Sequence, residues 1–181
     1  MDQFGVGHLR SKAMKLNRAQ AIVAYSFVDT ELLWEALQAA GSGVFACDNG
    51  RRLTTEGNKP LAAVGDSVLS LYYKVRGRDN YHSIGQSNAS LNGATSNDRL
   101  ALICDTSGLT ACVNGNPSQY GVVSPKTKAA MVEAVLGAIF EDTGRDGRLQ
   151  AVGEAMIVMG IIETDYDMDL VTFNTFPRPH I

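Results

Sequence analysis

The chain has 181 residues, with 16 Lys+Arg against 19 Asp+Glu and a formal net charge of −3. That length suits one domain with a full-sized core and leaves little room for a second. At 45% hydrophobic and 19% charged residues the composition excludes a disordered tail or a charged coil. The acidic balance argues against coating nucleic acid by charge alone, while leaving room for a local basic patch. No apolar run reaches the roughly 20 residues needed to span a bilayer, and the N-terminus has no apolar signal region, so the expectation is an intracellular protein without a membrane anchor. The three cysteines, Cys47, Cys104 and Cys112, show no paired metal-site spacing and read as free thiols of a reducing compartment.

In chain order, the sequence predicts helices joined by polar loops. A first helix covers Ser11 to Ala24. A second follows Asp29 or Thr30 as cap, carries Leu32, Leu33, Ala36 and Leu37 on one face, and stops at Gly41-Ser42-Gly43. Residues 44–57 have no period and read as loop. From Asn58 to Arg76 the helical period returns in Leu61, Val64, Val68, Leu71 and Val75, with Pro60 tolerated in the first turn. Two further helices are expected over Ser83 to Leu91 and Ser96 to Thr106, then a loop from Thr110 to Val123. Pro125 opens the clearest helix, ending at Gly144, and a last one runs from Gly147 to Met159. Strand signals are almost absent, so the fold class is all-α. Residues 1–162 form the domain. Residues 163–181 form an acidic, proline-containing tail, solvated or docked on the surface as an extended strap.

Two helices carry the candidate chemistry. Lys59, Ala62 and Asp66 share a stripe of one, and Ala130, Glu133 and Gly137 share a stripe of the other. Both stripes are small-sided, so the axes can approach and bring Asp66 within reach of Glu133. Two carboxylates meeting between helices repel each other unless a cation lies between them. A hydrated Mg²⁺ meets that need, as does a structural ion pair with Lys59 or a nearby arginine, and the spacing leaves both open. The segment Gly65 to Leu69 also has the letters of an esterase serine block, but it sits inside a helical pattern, and Pro177 stands three residues before His180 where an aspartate would be needed. The alternating acids of the tail lack the spacing and glycine of a calcium loop.

The same residues resemble a known family. Tyr25, Phe27, Asp29, Leu32 and Leu33, the segment NKPLAAVGDSVL from Asn58, Ser96 to Ala101, and KAAMVEAVLGAIF from Lys128 occur in the order and spacing of ribonuclease III domains. That resemblance implies an all-helical, homodimeric, Mg²⁺-dependent (or Mn²⁺-dependent) endonuclease acting on double-stranded RNA. It carries Asp66 and Glu133 over as catalytic residues and metal ligands. It also marks departures: Lys59, Ala62 and Ala130 stand where the family places acids, and Ala63 where it places the aromatic that knits the dimer. Five family acids become two acids and a lysine, a formal change from −5 to −1. Cation attraction is correspondingly weaker, and Lys59 is expected to modify the site. Glu56 and Asp98 are the other acids considered as replacement ligands.

Candidate contacts to RNA are Arg51 and Arg52, the cluster Lys74, Arg76 and Arg78, and the basic N-terminal helix. The tail is too short to be a double-stranded-RNA-binding domain. Two functions follow: a ribonuclease III-like protein of RNA processing with a depleted nuclease site, or a non-catalytic dimer of that fold acting as an RNA-binding or RNP scaffold.

Overall fold

The computed structural model describes residues 11–50 and 53–162. Among the described residues seven α-helices follow one another: α1 (Lys12–Val23), α2 (Thr30–Ala36), α3 (Lys59–Asp79), α4 (Ile84–Thr95), α5 (Asn97–Thr106), α6 (Pro125–Asp142) and α7 (Arg148–Val158). No strand forms among the described residues; an isolated parallel bridge joins Gln38 to Asn114. The all-α expectation therefore holds. No helix among the described residues is long and apolar enough to cross a membrane, and Cys47, Cys104 and Cys112 are free and buried.

The cap expected at Asp29 forms, and side chains cap other helices as well. The Ser11 side chain accepts from the Met14 amide, Asp29 from Glu31, and Ser124 from Thr127. Ser83 and Gln86 close a reciprocal capping box at the start of α4. Ser96 ends α4 and caps α5 through the Arg99 amide, so the chain turns from one helix into the next without a loop.

Helix α6 is the axis of the molecule. Ala129, Met131, Val132 and every residue from Ala134 to Ile139 are buried. A helix apolar on nearly all sides must be enclosed, and α2, α3, α5 and α7 pack around it, α3 most extensively. Burying a side chain such as Leu136 or Ile139 contributes roughly 1.5–3 kcal/mol.

Three boundaries differ from expectation. α2 ends at Ala36, well short of the glycines, because the next residues pair with a distant segment. The Ala39 amide donates to the Asn114 carbonyl at 3.0 Å, and the Asn114 amide to the Leu37 carbonyl at 2.8 Å. α4 runs on to Thr95, where Thr95 Oγ1 bonds back to the Leu91 carbonyl. The segment after α5 is not wholly irregular: it contains short 3₁₀ turns at Leu109–Cys112 and Pro117–Gln119.

Candidate functional site

The site is built on the crossing of α3 and α6, and glycines set its geometry. A β-carbon on Gly65 would collide with the Glu133 carbonyl oxygen and lie 2.6 Å from its carbonyl carbon. A β-carbon on Gly137 would collide with the Leu61 carbonyl oxygen and lie 3.0 Å from the Gly65 nitrogen. At this crossing the two backbones touch, with no side chain between them. Ala62 and Ala134, both buried, line the same seam.

That approach places Asp66 one residue after Gly65 and Glu133 at the contact itself. Asp66 lies on the exposed edge of α3; Glu133 is half-buried on α6. Burial pushes the Glu133 carboxyl up to about 7, and the neighbouring negative charge of Asp66 pushes in the same direction. The small-sided stripes thus bring the two acids into electrostatic contact. Among the described residues no group of three or more His, Cys, Asp and Glu side chains is arranged to hold a metal. Ala62 and Ala130 add no ligand, and neither Glu56 nor Asp98 replaces one.

Lys59 is the first residue of α3, exposed, with its Nζ 3.7 Å from Glu56 Oε1. Lys59 thus faces the loop acid one turn back along the chain. Lys74, Arg76 and Arg78 occupy the last two turns of α3. Lys74 and Arg78, four residues apart, lie along one exposed row. Arg76 turns away from them, its guanidinium 5.9 Å from the Tyr72 ring and its Nη1 donating to the Tyr72 hydroxyl at 3.2 Å. Arg51 and Arg52 lie outside the described residues, as does the tail. Ser67, the serine of the esterase-like letters, donates to the Ala63 carbonyl one turn back at 2.9 Å.

Sequence reasoning missed one organising acid. Asp142, at the end of α6, accepts from the Tyr25 hydroxyl at 2.9 Å, the Val28 amide at 2.8 Å and the Asp29 amide at 2.7 Å. It ties the α1–α2 turn to the end of α6 and so fixes that helix at its far end. No local pattern marks this role, because every donor lies more than 110 residues away in sequence.

Donor chemistry decides what the pair can hold. Two adjacent carboxylates, one half-buried and reluctant to ionise beside the other, suit a single hydrated divalent cation. They do not suit two ions about 4 Å apart, which need more carboxylates to fix them.

Comparison with known proteins agrees with this architecture. No protein-family model matches the chain. It is 35% identical over 94 residues to Ribonuclease 3 of Caenorhabditis elegans; that stretch covers 51% of this chain and 9% of the worm protein. The chain therefore spans less than a tenth of that relative. Two structures of the nuclease domain of ribonuclease III from Campylobacter jejuni superpose with TM-scores of 0.62 and 0.63, at 19% and 20% identity. They cover 80% and 87% of this chain, and 95% and 100% of theirs. One of them is described by structural flexibility in its region of dimer formation. The chain thus shares the fold of ribonuclease III nuclease domains and, over 94 residues, is similar in sequence to a ribonuclease III.

Proposed function

We propose that this protein acts on double-stranded RNA in RNA processing as a homodimer, through a reduced ribonuclease III-type site held by Asp66 and Glu133. The observation that carries the reading is the pairing of Glu133 with Asp66 across a crossing that admits no side chain. Two helices with their backbones in contact hold the carboxylates in fixed register, as preorganised ligands must be held. Their mutual repulsion is the cost of keeping them together, and a divalent cation relieves it.

Exposed Asp66 and half-buried Glu133 would hold the cation between them, with Glu133 a ligand in its deprotonated form. When bound, Mg²⁺ or Mn²⁺ supplies a water of lowered pKa and neutralises phosphate charge at the scissile bond. The protein's part is to orient the pair: Asp66 and Glu133 would be the ligands, and Ala62 and Ala130 offer none. Lys59, paired with Glu56, modifies the local charge at the start of α3. Lys74 and Arg78 lie roughly 12 Å or more along the helix axis from Asp66 and offer their charges to the backbone of a duplex. The domain comprises residues 1–162, with 163–181 as an appended tail.

A second reading, a non-catalytic dimer that binds RNA or scaffolds an RNP, draws on the missing third acid. One experiment separates them: incubation of a labelled RNA duplex in Mg²⁺ and in Mn²⁺ with the wild type, Asp66→Asn and Glu133→Gln. Cleavage by the wild type that both variants lose supports the reduced nuclease. Duplex binding without cleavage supports the scaffold, and neither binding nor cleavage removes RNA from the account.

A further inference from the structure

We propose that Tyr81, in the turn between α3 and α4, is a stacking platform for an unpaired nucleobase that continues an RNA duplex lying along Lys74 and Arg78. The inference rests on the reading of this protein as one that acts on double-stranded RNA, and it adds a base contact to the phosphate contacts of that reading. The turn after α3 closes in two backbone bonds. The Tyr81 amide donates to the Arg78 carbonyl at 3.1 Å, and the His82 amide donates to the Gly77 carbonyl at 2.8 Å. Such paired bonds end a helix on one residue in the left-handed region, ordinarily glycine. Here that residue is a tyrosine, at φ 56°. A β-carbon is disfavoured in that conformation, and glycine would hold the same turn without strain.

Packing does not explain the aromatic ring, because Tyr81 is 97% exposed. Ile84, the first residue of α4, is 81% exposed, so the turn shows solvent a second apolar side chain three residues on. The surroundings are cationic. From Lys74 to His82 the chain carries three basic residues, Lys74, Arg76 and Arg78, against one acid, Asp79. Arg76 is engaged by the Tyr72 hydroxyl, whereas Lys74 and Arg78 are exposed, and Arg78 lies one turn before Tyr81. An exposed flat ring beside exposed cations suits a strand whose units each join an apolar planar group to a negative charge, which is a nucleotide chain. Bases inside a duplex are stacked on one another and closed to such a ring, and an unpaired base at its end is open to it. Tyr120 supplies the contrast. It is also left-handed, at φ 50°, and 94% exposed, but residues 113–124 around it carry no charge.

The test is binding of labelled RNA duplexes to the full chain without divalent metal, followed by fluorescence anisotropy. One duplex ends in forks of unpaired adenosines, the other in forks of abasic residues with the same phosphates. The wild type should bind the adenosine forks roughly 10-fold more tightly. Tyr81→Phe should keep that preference, Tyr81→Gly should lose it, and Tyr120→Gly should leave it intact. Melting gives a readout that a structural role would move the other way. Tyr81→Gly should raise Tm by about 2–4 °C, because glycine relieves the left-handed strain. Equal affinity of the wild type for the two forks overturns the stacking platform and leaves duplex binding in place. So does a preference that survives Tyr81→Gly. A Tyr81→Gly variant that melts lower overturns it as well, by making the ring a structural element. Binding of neither duplex overturns this inference together with the RNA reading on which it rests.

Discussion

The two halves of α3 meet their neighbours in opposite ways. In the first half Gly65 removes every atom beyond the backbone, and α6 closes on it until a β-carbon has no room. In the second half Tyr73, Arg76 and Gly77 border an open cleft toward α4 and α5. The first arrangement creates a rigid place for two acids, the second an open cleft walled by side chains. A single continuous helix therefore carries one acid of the pair, Asp66, in its first half and the basic residues Lys74, Arg76 and Arg78 toward its end. The rigidity of the first depends on absent side chains, and the charge of the second on long ones. Substitutions at its glycines should be intolerable in one half and negotiable in the other.

The largest effect is expected at the seam. Gly65→Ala places a methyl group against the Glu133 carbonyl, a backbone atom that cannot rotate aside, so α3 and α6 must separate. Overpacking a core ordinarily costs about 1–3 kcal/mol, and displacing the central helix should bring the loss to ~3 kcal/mol or more. Denaturant unfolding measures it directly. A loss under 1 kcal/mol would mean that the crossing is looser than described and that Asp66 and Glu133 are not held in register.

The second effect is one of pH. Glu133 has its carboxyl raised from 4.5 to about 7, by desolvation first and by Asp66 second. A carboxyl raised in the folded state favours folding while it is protonated. Its contribution is complete below the unfolded value near 4.5 and is lost as pH rises through about 7. The wild type should therefore lose stability between pH 5 and 8 relative to Glu133→Gln, by about 1–2 kcal/mol once screening at a partly exposed pair is allowed for. Thermal melts of both proteins across that range provide the difference. Saturating Mg²⁺ should remove most of the wild type's deficit at pH 8 and have little effect at pH 5, where a protonated Glu133 is a poor ligand. Parallel pH profiles for the two proteins would show that the fold does not raise the Glu133 carboxyl.

These two predictions concern features of unequal legibility. The helices α3 and α6 were readable from the recurrence of Leu61, Val64, Val68 and Leu71 and from the apolar run after Pro125. Their close approach was readable from the same small residues that now form the seam. Asp29 announced itself as a cap and is one. What sequence could not supply was anything decided by a distant segment. The early end of α2 follows from pairing of Leu37 and Ala39 with Asn114. The role of Asp142 follows from donors on the α1–α2 turn. The partner of Lys59 is Glu56, not the carboxylate seven residues ahead, because the loop before α3 folds that acid back beside it. The high pKa of Glu133 depends on burial, which no spacing rule contains. In each case a local pattern fixed the element, and a long-range contact fixed what its residues do.

The smallest predicted effect tests the open half of α3. A β-carbon at Gly77 would meet the Ser87 hydroxyl oxygen and lie 3.0 Å from the Ser87 β-carbon. The obstacle is thus a side chain on α4, itself buried and donating to the Ser83 carbonyl at 3.2 Å. Unlike a backbone carbonyl, that hydroxyl can rotate away, at the expense of one hydrogen bond. Gly77→Ala should cost about 1 kcal/mol, a typical net value for such a bond, partly offset by the better helix propensity of alanine. Ser87→Ala removes the obstructing oxygen, so the double variant should be more stable than the two single losses sum to. A coupling of roughly 0.5–1 kcal/mol would confirm that the conflict is between these two side chains. Strict additivity would instead mean that α3 and α4 shift as rigid bodies. The cleft would then be closed by backbone packing like the seam, and the contrast between the two halves of the helix would fail.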